Sequence, residues 1–346
     1  MPKILFVLKR RDGFNPVEHA DLSLQCGLYN SISYVNDMLI SMDIESQIKI
    51  CIDNNCINGH VYNFKPTHVI IEALWVVPEK IKLLQSMYPK IIWIIRLHSA
   101  IPFLGIESSV SIKWITEYSL LPNVFISVND LRLKNELEFY LSTITTKEIL
   151  FLPNYYPGDD LKPFNKDFDK DIINIACFGA IRPFKNHLTQ ALASIEFCKR
   201  LNKKLRFHIN DGRIEVNGNN VHTNLLHLFT KLDDNNFELV LHPWANRENF
   251  LNICFTEIDI GIQVSFTETF NLVTADLLSQ GVPVIGSSEI PWMNNKYFCN
   301  PTDASDIIRV LDLVYKNPRL NVEENNLSLI EYTENTKKVW LETILL

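Results

Sequence analysis

Strand signals and helix signals alternate along this chain from end to end, and that alternation constrains the fold more than any other feature. The strand signals are Lys3 to Leu8, Ser46 to Ile52, His68 to Glu72, Lys90 to Leu97, Val124 to Val128, Glu148 to Leu152, Ile172 to Phe178, Leu205 to Asn210, Asn236 to Leu241, the apolar run from Ile258, and Val282 to Ile285. Between them lie stretches with helical spacing. Ser23 to Met42 is one, with Leu24, Leu28, Ile32, Val35, Leu39 and Ile40 on a helical period. Others follow Pro78, start near Glu107 and near Asp130, and place Leu188, Ala191, Leu192, Ile195 and Cys198 on one face. Asp303 to Tyr315, capped at Thr302 or Asp303, and Leu327 to Leu346 complete the helices. Such alternation predicts doubly wound parallel sheets, α/β in class.

A chain of 346 residues suffices for two such domains. Tyr155 to Lys170 holds Pro157, Gly158, Pro163 and alternating charges without apolar periodicity, the marks of an exposed connection. The expected division is therefore 1–158 for the first domain, 159–171 for the linker and 172–326 for the second domain. Residues 327–346 form a terminal helix. Asp167-Phe168-Asp169 resembles a metal-binding DxD, but in a linker it reads as a solvated charge run, and no metal is assigned. A net charge of −7 argues against a dedicated nucleic-acid binder. The seven Cys lack paired CxxC spacing and several sit in apolar runs, so reduced core thiols are expected. With no run of membrane-spanning length and an N-terminal apolar run too short for a signal sequence, a cytoplasmic protein without integral membrane association is expected.

The most informative stretch is Ile258 to Gly286. It reads as strand, polar elbow at Thr267-Glu268-Thr269, helix through Leu272, Val273, Ala275, Leu277 and Leu278, and then a second strand after Gly281. Gly281 stands where a helix end favours a left-handed residue, and Pro283 is tolerable only near a strand start. The loop Ser265 to Asn271 therefore lies at the carboxyl end of a parallel strand, beside the unpaired N–H groups of a first helical turn, where open α/β sheets bind ligands.

This run resembles the donor-binding signature of retaining GT-B glycosyltransferases of the family 4 type: Glu-x-Phe-Gly, an acid eight positions after the Glu, then Gly-x-Pro-Val. Glu268, Phe270 and Gly281-Val282-Pro283-Val284 match; Asp276 replaces the second Glu and Asn271 replaces the Gly. Asn is among the non-Gly residues that best accept positive φ. Gly179 and Lys185 resemble the family's Gly-Arg-x-x-x-x-Lys phosphate clamp, with the Arg displaced to Arg182. Leu152-Pro153-Asn154 is similar to the Pro-Asn closing the family's first domain.

The resemblance implies a GT-B fold, two Rossmann-like domains facing a cleft, with the terminal helix packing back on the first. It implies a nucleotide diphosphate sugar as donor substrate, no cofactor, a hydroxyl acceptor and retention of configuration. Gly179, Arg182, Lys185, Trp244, Glu268, Thr269, Phe270, Asn271, Leu272 and Asp276 would form the donor site. Arg182, Lys185 and the helix N-terminus would stabilise the leaving diphosphate, Asp276 would hold the ribose, and Glu268 would orient the sugar hydroxyls. His98 would contact the sugar or the acceptor, so the expected catalytic set is His98, Arg182, Lys185 and Glu268. Trp244 follows the strand where the base is held, and serves either as a stacking platform or as a core anchor.

Lys9, Arg10, Arg11, Arg96 and His98 follow or end strands of the first domain and are the expected acceptor-side residues. The expected acceptor is a saccharide or lipid-linked sugar. The run Lys9 to Arg11, and a likeness to transferases of tailed-phage genomes, give an alternative: a hydroxymethylated DNA base. From another class, a GT-B-like nucleotide-sugar-binding protein without catalysis would also show Asn271, Asp276 and the displaced Arg182. Oligomeric state, monomer or dimer, is not legible in the sequence.

Overall fold

The computed structural model describes residues 2–10, 27–158, 161–232 and 236–345. The chain divides into two compact units: Met1–Pro157 with Thr333–Leu346, and Gly158–Tyr332. In the first unit the order is β1 (Lys3–Lys9), α1 (Gly27–Ser41), β2 (Glu45–Cys51), α2 (Cys56–Phe64), β3 (His68–Glu72), α3 (Pro78–Met87) and β4 (Ile92–Leu97). Then come α4 (Ile101–Glu107), α5 (Ser111–Ser119), β5 (Val124–Val128), α6 (Leu131–Leu141) and β6 (Leu150–Phe151). The second unit runs β7 (Ile172–Ala176), α7 (His187–Arg200), β8 (Lys204–Asn210), α8 (Gly218–Lys231), β9 (Phe237–His242), α9 (Arg247–Glu257), β10 (Ile260–Gln263), α10 (Leu272–Ser279), β11 (Val284–Gly286) and α11 (Ala304–Lys316). The last helix, α12 (Pro318–Ile344), starts ahead of the expected Leu327, with a proline in the first turn, where it lacks nothing a helix needs.

Both sheets are parallel throughout. The first has six strands in the order β2-β1-β3-β4-β5-β6. Its strands are covered on both faces. Leu5, Val7, Val69, Ile71, Trp93 and Ile95 enter one core with Ile57, Ile81, Leu84, Ile115, Leu133 and Leu137 of the helices. The alternate residues Ile4, Phe6, Leu8, Ile70 and Ile94 enter a second core with Ile32, Val35 and Leu39 of α1 and Trp340 and Ile344 of α12. A period-2 strand buried on both sides must be apolar at nearly every position, which is why these runs show no alternation. Trp340 is the anchor of the second core: its ring lies 6.1 Å from Phe6 and its Nε1–H donates to the Pro153 carbonyl at 2.8 Å.

The second sheet has five strands in the order β11-β10-β7-β8-β9. The chain starts at β7, moves outward through β8 and β9, then returns to the other side of β7 for β10 and β11. The reversal leaves a crevice at the carboxyl ends of β7 and β10, where ligands of open α/β sheets sit. The open edge of β11 is capped by Asn321 of α12, which donates to the Val284 carbonyl at 2.9 Å and accepts its N–H at 2.8 Å, blunting a strand edge that could otherwise template pairing. At Gly281 φ is +72°, and a Cβ there would run into the Pro163 carbonyl, so only glycine fits this helix end.

Candidate functional site

Two loops at the reversal point of the second sheet are laced together. After β7, residues Pro183–Lys185 form one turn of 3₁₀ helix that ends at left-handed Asn186, directly before α7. The Phe184 carbonyl accepts from the Phe266 N–H at 2.9 Å. Asn186 Nδ2 donates to the carbonyls of Val264 (3.1 Å) and Pro301 (2.8 Å). Gln190 accepts from the Val264 N–H at 2.8 Å and donates to the Lys185 carbonyl at 2.7 Å. These bonds fix Lys185 opposite the loop that follows β10. Lys185 Nζ meets Glu268 Oε1 at 2.5 Å, and each side chain keeps only 8% of its surface exposed. Lys185 and Glu268 thus form one buried ion pair.

Asn271 does locally what the family glycine would do, and more. Its φ is +60°, and its side-chain oxygen accepts from the Thr274 N–H at 3.0 Å, capping α10, while Nδ2 donates to Gln263 Oε1 at 3.2 Å. Asn combines tolerance of this backbone region with a capping oxygen. Phe270 is buried against Trp292 and Tyr332, and its carbonyl accepts from Trp292 Nε1 at 2.8 Å, so the elbow rests on an aromatic floor. Thr269 is buried and Leu272 half-buried beside it. Gly179 adopts φ +112° and donates its N–H to Asn210 Oδ1 at 2.8 Å.

The structure adds partners that the sequence did not announce. Arg247, the first residue of α9, holds Asp276 through two parallel hydrogen bonds, 2.7 Å to Oδ1 and 3.0 Å to Oδ2. Arg182 lies 3.8 Å from Glu215, Glu215 pairs with Arg213 at 2.5 Å, and the Arg213 guanidinium stacks 5.1 Å from the half-exposed Trp244 ring. One ladder of charge and aromatic surface therefore joins Arg182 to Trp244. Neither Arg213, Glu215 nor Arg247 falls in a recognisable motif; only their places after β8 and at the start of α9 could have pointed to them.

Several buried polar groups here find no hydrogen-bond partner among the described residues: both ring nitrogens of His187 and the hydroxyls of Ser265, Thr267, Thr274 and Ser287. Buried polar groups without a partner are few in folded proteins. Burial, with Lys185 and Arg182 close by, holds the His187 imidazole down to about 3, so it is neutral at physiological pH.

In the first unit, Glu72 at the end of β3 stands between Arg96 and His98 at the end of β4. The Glu72 carboxylate accepts from His98 Nε2 and from Arg96 Nη1, 3.4 Å away. Burial alone would raise its pKa, but Arg96 and His98 outweigh it and hold Glu72 below the ordinary carboxylate range. Burial also lowers the His98 pKa against the pull of Glu72, which leaves a neutral ring donating Nε2–H to an ionised acid. Arg96, expected on the acceptor side, is fully buried. Its side chain has no exposed surface, donates to the carbonyls of Leu152 (3.1 Å) and Pro153 (3.2 Å) and to Asn154 Oδ1 (2.8 Å), and lies 5.1 Å from the Trp340 ring. Arg96 ties β4 to the segment after β6; His98, partly exposed, is the member of the trio that reaches the surface. Lys9 is exposed at the end of β1, Arg10 is half-buried with its N–H on the Cys51 carbonyl, and Arg11 lies outside the described residues.

No family model matches the chain, and no curated protein matches it by sequence. Solved structures do. A sucrose-phosphate synthase from Thermosynechococcus elongatus matches with TM-score 0.68 at 12% identity over 98% of this chain and 97% of its own. The trehalose-6-phosphate synthase OtsA matches with TM-score 0.71 at 11% identity over 99% and 98%. An E. coli trehalose-6-phosphate structure bound with UDP-2-fluoro glucose matches with TM-score 0.70 at 10% identity over 99% and 98%. At such identities the likeness shows the fold: two parallel-sheet α/β domains of the GT-B class. No described helix is long and apolar enough to cross a membrane.

Proposed function

We propose that this protein is a glycosyltransferase that moves a sugar from a nucleoside diphosphate sugar to a hydroxyl acceptor. The observation that carries this is the buried Lys185–Glu268 pair at the reversal point of the second sheet, beside the capped N-terminus of α10. In this structure the two charges satisfy each other. With donor bound, the lysine would turn to the diphosphate and the glutamate to the sugar hydroxyls, so the charges are held ready without being exposed. Arg182 and the first N–H groups of α10 would add donors aimed at the charge that develops on the leaving phosphate, and the buried hydroxyls of Ser265 and Thr267 would complete the polar lining.

Asp276, gripped by Arg247, would accept from the ribose hydroxyls, and Trp244 under Arg213 would take the base. His98, oriented by Glu72, is the first domain's candidate for a contact to sugar or acceptor. Retention of configuration, independence of metal in the transfer step and a saccharide or lipid-linked acceptor complete the reading. The donor to try first is a UDP-sugar, since a structural neighbour binds UDP-2-fluoro glucose. The test is release of nucleoside diphosphate from a panel of UDP-, GDP- and ADP-sugars, followed by chromatography. Release from one base class that vanishes in Glu268→Gln supports the reading; no release from any donor, with sugar and lipid-linked acceptors supplied, leaves a GT-B-like binding protein without catalysis.

A further inference from the structure

The second domain buries two histidines on adjacent strands, beneath the loops after β7 and β9. His208 is on β8 and His242 is the last residue of β9. The strands pair in register with His208 opposite Val240 and Asn210 opposite His242, so the two histidines point to the same face. Their rings lie 5.1 Å apart, with His208 Nδ1 2.8 Å from His242 Nε2. Glu257, the exposed last residue of α9, brings a carboxylate oxygen to the same place, and all three ligand atoms lie within 4.8 Å of one another.

The hydrogen bonds behind His208 decide which of its nitrogens carries a proton. The Asp259 carboxylate can only accept; it takes the Lys170 ammonium at 2.6 Å, the Asn174 N–H at 2.7 Å and Asn174 Nδ2 at 2.9 Å. That orients the Asn174 amide, so its Oδ1 must accept from His208 Nε2–H at 3.1 Å. The lone pair of His208 Nδ1 is therefore aimed at His242 and Glu257. A ring N–H held by an oriented oxygen, with the other nitrogen's lone pair presented to a second imidazole and a carboxylate, is how proteins prepare histidine for a metal ion.

We propose that His208, His242 and Glu257 bind a divalent transition-metal ion, with zinc the metal that two imidazoles and one carboxylate suit best. The ion would replace the proton shared by the two rings. Two nitrogens at zinc's bond length and a tetrahedral angle stand roughly 3.3 Å apart, so a separation change of about half an ångström admits it. Bound there, the ion ties the C-terminal end of α9 to the sheet, and α9 carries at its other end the Arg247 that grips Asp276. This role is structural and independent of the transfer reaction.

The test is titration of the intact chain with Zn²⁺ alone, in competition with a chromophoric chelator, beside metal analysis after dialysis. The wild type should retain about one ion per chain and gain thermal stability with Zn²⁺. His242→Ala should lose both. Because that side chain is buried, Glu257→Gln provides the exposed companion, which should fold normally and weaken zinc binding by roughly tenfold or more. No retained zinc in the wild type, or equal zinc affinity in wild type and Glu257→Gln, would overturn the proposal; the second result would assign any binding to the cysteines or other surface groups.

Discussion

Arg247 and Asp276, 29 positions apart in the chain, meet in a two-pronged hydrogen-bonded pair that joins the N-terminus of α9 to the middle of α10. The planar guanidinium matches a carboxylate as a lysine ammonium cannot. If the Asp276 carboxylate accepts from the ribose hydroxyls, then Arg247 sets the angle of that carboxylate. Arg247→Lys should keep the charge and lose the geometry, raising the donor KM about tenfold, equivalent to roughly 1.4 kcal/mol. Arg247→Ala should raise it further, and kcat should change less than KM in both. Steady-state kinetics against donor concentration check this; an unchanged KM in both variants would show that the pair only packs the two helices.

Lys185 and Glu268 should behave as one unit. Removing either leaves a buried charge without its partner, so Lys185→Ala and Glu268→Ala are each expected to destabilise the second domain by about 3 kcal/mol. The double variant should be less destabilised than the sum, because no charge is stranded. Urea unfolding of the four proteins forms the cycle.

Asn271 combines two contributions, a left-handed backbone and a helix cap, of which glycine would supply only the first and alanine neither. Asn271→Gly keeps the left-handed backbone and loses the cap, for a change of a few tenths of a kcal/mol. Asn271→Ala loses the cap and forces a Cβ into positive φ, for a loss of about 2 kcal/mol. Equal stabilities for the two variants would contradict the geometry described.

His187 makes stability depend on pH. Its pKa falls from 6.5 to about 3 on folding, so between those values the unfolded chain binds a proton that the native chain does not. Stability is then complete above about pH 6.5 and falls as pH drops toward 3, by about 1.4 kcal/mol per pH unit for one such group. Glu72 and His98, both lowered, act in the same direction. His187→Leu should flatten the profile by about one proton equivalent; an unchanged slope would mean that the ring is protonated in the native state.

Much of the layout was legible because strands buried on both faces must be apolar, and because Gly281, Asn271 and the caps Asp130 and Asp303 mark turns by their own chemistry. What escaped is also instructive. Helices α2, α8 and α9 were not foreseen: their buried residues are few and scattered, so no apolar period stands out. The helix expected from about Glu107 is α5, which starts at Ser111; the short α4 ahead of it, Ile101–Glu107 with Pro102 in its first turn, is not marked by any apolar period. Arg96 stands at the end of a strand, where a ligand contact is a reasonable expectation, but the acceptors that claim it come from Leu152 to Asn154, more than fifty residues later. Pairings such as Arg247 with Asp276, or Arg213 with Glu215 and Trp244, depend on how elements pack, and no local pattern encodes them.

The central claim is that the second domain binds a nucleoside diphosphate through Lys185. Calorimetric titration of UDP, GDP and ADP into the wild type and into folded Lys185→Ala tests it most directly. The account predicts that one of the three binds the wild type, and that the affinity falls roughly 10- to 100-fold in the variant, as loss of a hydrogen bond to a charged group implies. Binding of none of the three, or equal affinity in wild type and Lys185→Ala, would contradict it.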